Sequence, residues 1–308
     1  MAFPFAFAGS SITYSTTGYR QMTMDYLEDS FLQYEFAFTS IAKNGYNTWA
    51  NSVNLSTTMA EYPDMLVFDT TNDTLYDADW VNAYREAFIR KIWTTKPSCR
   101  IAWMNFFQVS DIDIDDPTAL NQTDITSMKA LCAHYDIPVV DYQAEIVRLV
   151  SGGAHLNTYF SDQTHPTLAG HTVATNLLKA QIPSGGKSVA VLPARLYASS
   201  ENYENTPIRV SGSDETSKTG TWTDDGTSIS SSTSDSTITF TATCQSYGVY
   251  RADGETNGTV AVSIDSGAYG SNFVINQNGY EIAGARALHT ITIKVVSGTL
   301  KIDEFWAI

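Results

Sequence analysis

Along residues 3–181, short apolar runs alternate with longer segments in which apolar positions recur every three or four residues. Runs of this kind read as strands buried on both faces, and the helical periodicity reads as elements packed against them. Strands are expected at 3–8, 36–41, 65–69, 100–106 and 138–141. Between them, 79–94 carries Trp80, Val81, Tyr84, Phe88, Ile89, Ile92 and Trp93 at helical spacing, with Asp79 placed to cap the start. The segment 123–135 repeats the pattern with Ile125, Met128, Leu131 and Cys132, and 167–181 does so with Leu168, Ala174, Leu177 and Leu178. Strands separated by helices need crossover connections, so this half predicts a parallel sheet whose strand carboxyl ends gather on one edge.

The pattern changes after the turn-rich stretch Pro183-Ser184-Gly185-Gly186-Lys187-Ser188. Beyond it helical periodicity fades, and Ser, Thr, Gly and Asp dominate. Apolar and polar residues alternate at 236–243, 259–264, 289–296 and 299–305, with Gly and Asp turns between. The expected organisation is an α/β domain over 1–185 and an all-β sandwich over 186–308.

Composition narrows the function classes. Of 308 residues, 43% are apolar and 17% charged, a globular balance. No apolar run approaches the roughly 20 residues that cross a bilayer. The opening MAFPFAFAGSS has no basic n-region and reads as a buried strand rather than a secretory leader. A net charge of -15 argues against nucleic acid and anionic membranes as partners, because phosphate recognition needs clustered Lys and Arg. Cys99, Cys132 and Cys244 are odd in number and lack metal-ligand spacing, so they are expected to be buried thiols.

Three short stretches carry candidate chemistry. Gly9-Ser10-Ser11-Ile12-Thr13 directly follows the first strand, where a serine would stand exposed at the sheet's carboxyl edge. Taken alone, serine beside glycine is also an ordinary turn. Asp162-Gln163-Thr164-His165-Pro166 precedes the last helix of this half. An Asp three residues before a His can fix the imidazole tautomer whose other nitrogen accepts a serine proton, or it can merely cap the helix. Thr70-Thr71-Asn72-Asp73 follows the third strand, where an Asn amide would donate to a developing oxyanion or close an Asx turn.

These blocks, together with Lys43-Asn44-Gly45-Tyr46-Asn47 after the second strand, resemble in order and spacing the SGNH (GDSL-like) hydrolases across residues 3–181. The resemblance implies a three-layer α/β/α parallel-sheet domain and acyl transfer through a covalent intermediate, without a cofactor. Residue by residue, it implies Ser11 as nucleophile, His165 as general base and Asp162 as its orienter. It implies an oxyanion hole made by the backbone N–H groups of Ser11 and Gly45 and the Asn72 side chain. Two positions depart from the family pattern: Ser10 stands where an Asp is usual, and Thr70 where a Gly opens the third block.

Other residues have plainer readings. His171 reads as a packed histidine, His134 at a helix end and His289 in a strand pattern are given no paired acid, and nothing requires His155. The acidic run 111–116 lacks the Gly and Glu of a calcium loop, and Trp49 and Tyr76 are candidate pocket aromatics. Residues 190–308 are similar to jelly-roll, galactose-binding-like modules, with Trp222, Tyr247, Tyr250 and Tyr269 as candidates for sugar stacking. The combination implies a serine O-acetylesterase acting on an acylated polysaccharide. The other reading is a non-catalytic carbohydrate-binding or phage-tail structural protein with a degenerate hydrolase fold. The setting implied is extracellular or virion-associated, with a homo-oligomer, a trimer if tail-associated.

Overall fold

The computed structural model describes residues 2–42, 48, 51–52, 62–71, 79–109, 123–182, 191–197, 217–225, 228–250, 258–271, 273–274, 280–302 and 304–307. The chain divides into two compact units, Met1–Glu204 and Asn205–Ile308.

The first unit is built on five parallel strands, β1 (Phe3–Ala8), β2 (Phe36–Ser40), β3 (Met65–Asp69), β4 (Arg100–Met104) and β5 (Val139–Val140), in the order β2-β1-β3-β4-β5. β1 and β3 are the most apolar and lie inside the sheet, in register from Phe5↔Met65 to Ala8↔Phe68. β2 is an edge strand, and its alternating exposure reflects that position. The helices with described bounds include α1 (Ser11–Tyr14), α2 (Tyr19–Ser30), α3 (Asp79–Thr95), α4 (Thr123–Tyr135), α5 (Tyr142–Ser151) and α6 (Leu168–Gln181). The crossover from β1 through α2 runs one way along the sheet, and those through α3 and α4 run the other. Right-handed connections therefore put them on opposite faces, giving three layers. α6 returns to pack against α2. Because the order reverses at β1, a crevice opens beyond the carboxyl ends of β1 and β3, the usual binding place in such sheets.

The first unit extends past 185, where the sequence placed the boundary. Glu86, fully buried on α3, accepts the backbone N–H groups of Leu196 (2.6 Å) and Tyr197 (2.8 Å) as well as the Tyr135 hydroxyl (2.6 Å). Arg90 binds the Pro193 carbonyl at 2.8 Å, and His134 meets that of Ala194 at the same distance. Side-chain partners for linker backbone leave no signal in local composition, so the strap read as part of the next domain.

The second unit has two antiparallel sheets. The larger runs β11 (Phe273–Val274), β10 (Thr259–Ile264), β12 (Tyr280–Ser297), β9 (Thr237–Tyr250), β14 (Glu304–Ala307), with β6 (Ser217–Thr219) also on β9; the smaller is β13 (Leu300–Ile302), β8 (Ile229–Ser231), β7 (Thr223–Asp224). Ile229, Leu300 and Ile302 of the smaller sheet and Ile238, Phe240, Ile291, Ile293 and Phe305 of the larger share one core. The single strand expected at 299–305 is two strands in different sheets. Leu300 and Ile302 face the core, and then Phe305 and Ala307 do, so the alternation slips by one residue where the chain changes sheet.

Candidate active site

β1 ends at Ala8, and the chain turns sharply at Gly9, whose φ is +155°. A Cβ there would fall 1.9 Å from Asp69 Oδ2, so only glycine allows the last residue of β3 so close to the loop after β1. Asp69 is fully buried and receives hydrogen bonds from five donors. Oδ2 accepts from Ser10 N–H (3.3 Å) and from the Thr13 hydroxyl, and Oδ1 from Ser10 Oγ (3.4 Å), Thr71 N–H (3.1 Å) and Thr71 Oγ1 (2.9 Å). Burial pushes the Asp69 carboxyl above the usual carboxylate range, and these donors partly offset the shift. The Thr13 hydroxyl also meets Tyr19 OH at 2.7 Å, while burial first, and the Asp69 charge second, push that phenol well above its ordinary value. Gly9 N–H donates to Asn51 Oδ1 at 2.9 Å. The loops after β1 and β3 are thus joined through one carboxylate.

The two adjacent serines are treated oppositely. Ser10 has no exposed surface and turns its hydroxyl to Asp69, whereas Ser11 starts α1 and borders a cavity. Ser11 Oγ lies 2.8 Å from His165 Nε2. Thr70 accepts a hydrogen bond from Trp103 Nε1 at 3.1 Å, which gives its side chain a packing role at the position where the family pattern has glycine.

His165 is carried by a tight excursion between a 3-10 turn (Leu156–Thr158) and α6. A bridge pairs Phe160 with Pro166, and Ser161 N–H donates to the His165 carbonyl at 2.8 Å. Inside that turn, Asp162 Oδ1 accepts the backbone N–H groups of Thr164 and His165, both at 2.7 Å. Asp162 Oδ2 lies 2.8 Å from His165 Nδ1. Desolvation works to raise the Asp162 carboxyl, but the backbone N–H groups of His165 and Thr164 and the imidazole together hold it below the usual range. An ionised carboxylate can only accept, so Nδ1 carries the proton and Nε2 is left to accept from the Ser11 hydroxyl. Thr167 caps α6 behind Pro166, accepting Gly170 N–H at 3.2 Å, so the loop is anchored at both ends.

The structure therefore brings Ser11, His165 and Asp162 together. Gly45 and Asn72 lie outside the described residues, as do Trp49, Tyr76 and the run 111–116. The backbone N–H of Ser11 belongs to the first residue of α1, and the turn's hydrogen bonds run from Tyr14 and Ser15 back to Ser10 and Ser11.

The cavity, about 490 Å³, is lined by Ser11, Ile12, Ser15, Thr17, His165, Pro166, Leu168 and His171. His171 had no role in the sequence reading beyond packing, yet it borders the same space as Ser11. Burial, and secondarily the neighbouring His165, lower its pKa to about 4. The sequence also gave His289 no acid. Its Nδ1 meets Asp265 Oδ2 at 2.8 Å, across a strand pair that sequence distance concealed. Of the candidate stacking aromatics, Tyr247 is buried, Trp222 is half-buried, and Tyr269 is 40% exposed with Lys294 Nζ 4.4 Å from its ring centroid; the Tyr250 side chain lies outside the described residues. Among the described residues no group of three His, Cys, Asp or Glu side chains is placed to hold a metal ion, and no helix is long and apolar enough to cross a membrane.

No family model and no curated protein sequence matches the chain. Solved structures do. A two-domain esterase active on acetylated mannans, co-crystallised with mannopentaose, superposes with a TM-score of 0.77 at 17% identity, covering 99% of this chain and 90% of that one. A catalytic mutant of an acetylxylan esterase from Geobacillus stearothermophilus gives 0.51 at 16% identity over 62% of this chain and 99% of its own. A putative GDSL-like lipase from Parabacteroides merdae gives 0.50 at 17% identity over 58% and 94%. A parallel α/β unit followed by an antiparallel β unit is thus the fold that this chain has in common with the two-domain esterase.

Proposed function

We propose that the protein is a serine esterase that removes short acyl groups, acetyl foremost, from an acylated polysaccharide. The observation that carries the reading is the contact chain Ser11 Oγ–His165 Nε2 (2.8 Å) and His165 Nδ1–Asp162 Oδ2 (2.8 Å), which opens on a cavity. In the proposed cycle, His165 takes the Ser11 proton as Oγ attacks the ester carbonyl, and Asp162 stabilises the imidazolium. The Ser11 N–H, the Gly45 N–H and the Asn72 amide are the proposed donors to the oxyanion. His165 then gives its proton to the departing alkoxide, and water, deprotonated by the same ring, releases the acid from Ser11. Protein groups and water complete the cycle. Acetylated mannan, on which the two-domain esterase acts, supports a decorated glycan as substrate, and the second unit is proposed as the carbohydrate-facing module.

A purely structural or binding protein has no need of a tautomer-locked imidazole on an accessible serine. Hydrolysis of p-nitrophenyl acetate and acetate release from acetylated mannan and xylan test the reading. Turnover by the wild type that is lost in Ser11→Ala supports it; turnover unchanged in Ser11→Ala, or absent from the wild type on every ester, overturns it.

A further inference from the structure

Where the alcohol half of the substrate must sit follows from the chemistry proposed above, on which this inference rests. The leaving alkoxide takes its proton from His165 Nε2, so the alcohol departs on the His165 side of Ser11. The cavity that Ser11 and His165 border is also lined by Pro166, Leu168 and His171. Leu168 is 67% exposed, an apolar ledge beside polar groups, which suits the mixed faces of a sugar ring.

His171 is the polar group of this wall whose hydrogen-bonding state the structure defines. Tyr19 N–H, the first amide of α2, donates to its Nδ1 at 3.2 Å. The ring nitrogen that accepts is unprotonated, so in the neutral imidazole the proton is on Nε2. The ring is held in place by Gly18, where a Cβ would approach Cε1 to 2.8 Å, and by Tyr19, whose ring lies nearly parallel at a centroid distance of 6.5 Å. Its position on α6, six residues after His165, fixes it relative to the base.

We propose that His171 is a substrate-binding residue whose Nε2–H donates to a hydroxyl or ring oxygen on the alcohol moiety, next to the carbon bearing the ester. The ligand class is a polyhydroxylated alcohol such as a hexose or pentose unit. The ring's neutrality at working pH matters here. A cation in this place would oppose formation of the His165 imidazolium, whereas an uncharged donor grips the sugar without that cost.

The test compares acetylated manno- and xylo-oligosaccharides with p-nitrophenyl acetate, whose alcohol offers no neighbouring hydroxyl. His171→Phe removes the donor but also the acceptor for Tyr19 N–H, so His171→Asn, whose amide supplies both, is assayed beside it, with thermal melts on each. The expected result is a rise in KM of about three- to tenfold on the oligosaccharides for His171→Phe, the worth of one neutral hydrogen bond. His171→Asn should recover most of it, and the change in KM on p-nitrophenyl acetate, whose alcohol lacks a hydroxyl for the donor, should be less than half that on the oligosaccharides. An equal loss on both substrate classes, or none on the oligosaccharides, overturns the inference and leaves the esterase reading standing. A wild type inactive on both classes overturns that reading itself.

Discussion

Replacing Asp69 by Asn changes one atom at a buried site on which five hydrogen-bond donors converge. The carboxylate accepts from five donors, and two of these are backbone N–H groups that cannot rotate: Ser10 N–H at Oδ2 and Thr71 N–H at Oδ1. Whichever way the amide is turned, its NH2 confronts one of them. One buried unsatisfied donor costs about 1–3 kcal/mol, and a protonated carboxyl avoids that cost because both of its oxygens can still accept. The opposing effect is relief of desolvation, since burial is what pushes the Asp69 carboxyl up. That relief applies only once the carboxyl ionises, so the cost of Asn is the full unsatisfied donor in acid and a smaller one at neutral pH. Because the folded carboxyl has its pKa raised above the unfolded value, its pH-dependent stability is fully present below the unfolded aspartate pKa. It is lost as pH rises through the folded one. The Asn variant lacks that slope, so its deficit should be largest in acid and narrow toward neutrality. Urea unfolding between acid and neutral pH, followed by far-UV circular dichroism and by activity, measures this. The nucleophile loop hangs on the same group, so kcat per folded molecule should fall about tenfold or more. A variant as stable as wild type in acid, and as active, would refute the argument that both oxygens at position 69 must accept.

Asp162→Asn should keep the turn's backbone contacts but invert the tautomer preference of His165, lowering kcat by about 10²- to 10⁴-fold with little change in KM, as steady-state kinetics on p-nitrophenyl acetate will read. Glu86→Ala should release the strap at 193–197 and leave two backbone N–H groups unpaired, costing about 2–4 kcal/mol; limited proteolysis should then cut near Leu196, and an unchanged cleavage pattern would count against the strap. His171 should titrate near pH 4 in an NMR experiment on ring protons, with no change in its charge around neutrality; a midpoint above 6 would contradict its burial.

Much of the fold was legible because burial on both faces leaves continuous apolar runs: β1 and β3 have the expected bounds, and α4 does too. α2 was not singled out, because only Tyr19, Thr23 and Leu27 of its residues are buried and two of those are polar in part. α5 buries Tyr142, Ile146 and Val150 at a clean four-residue spacing, a signal that was present but short. In the candidate site, the sequence picked out Ser11, Asp162 and His165 because two of them share a loop, the third closely follows a strand, and the order and spacing of the blocks resemble the SGNH pattern. Asp69 escaped notice because a strand-end aspartate reads as a turn residue, and its five donors come from segments up to 59 positions away. His171 and the Asp265–His289 pair were hidden for the same reason: proximity across elements leaves no local pattern.

The central claim is that His165 arms Ser11 and not Ser10. Labelling with a fluorophosphonate, followed by peptide mass mapping, addresses it directly. The account predicts a single adduct on Ser11 in the wild type, lost or greatly slowed in His165→Ala; an adduct on Ser10, or labelling of Ser11 at an undiminished rate without His165, would contradict it.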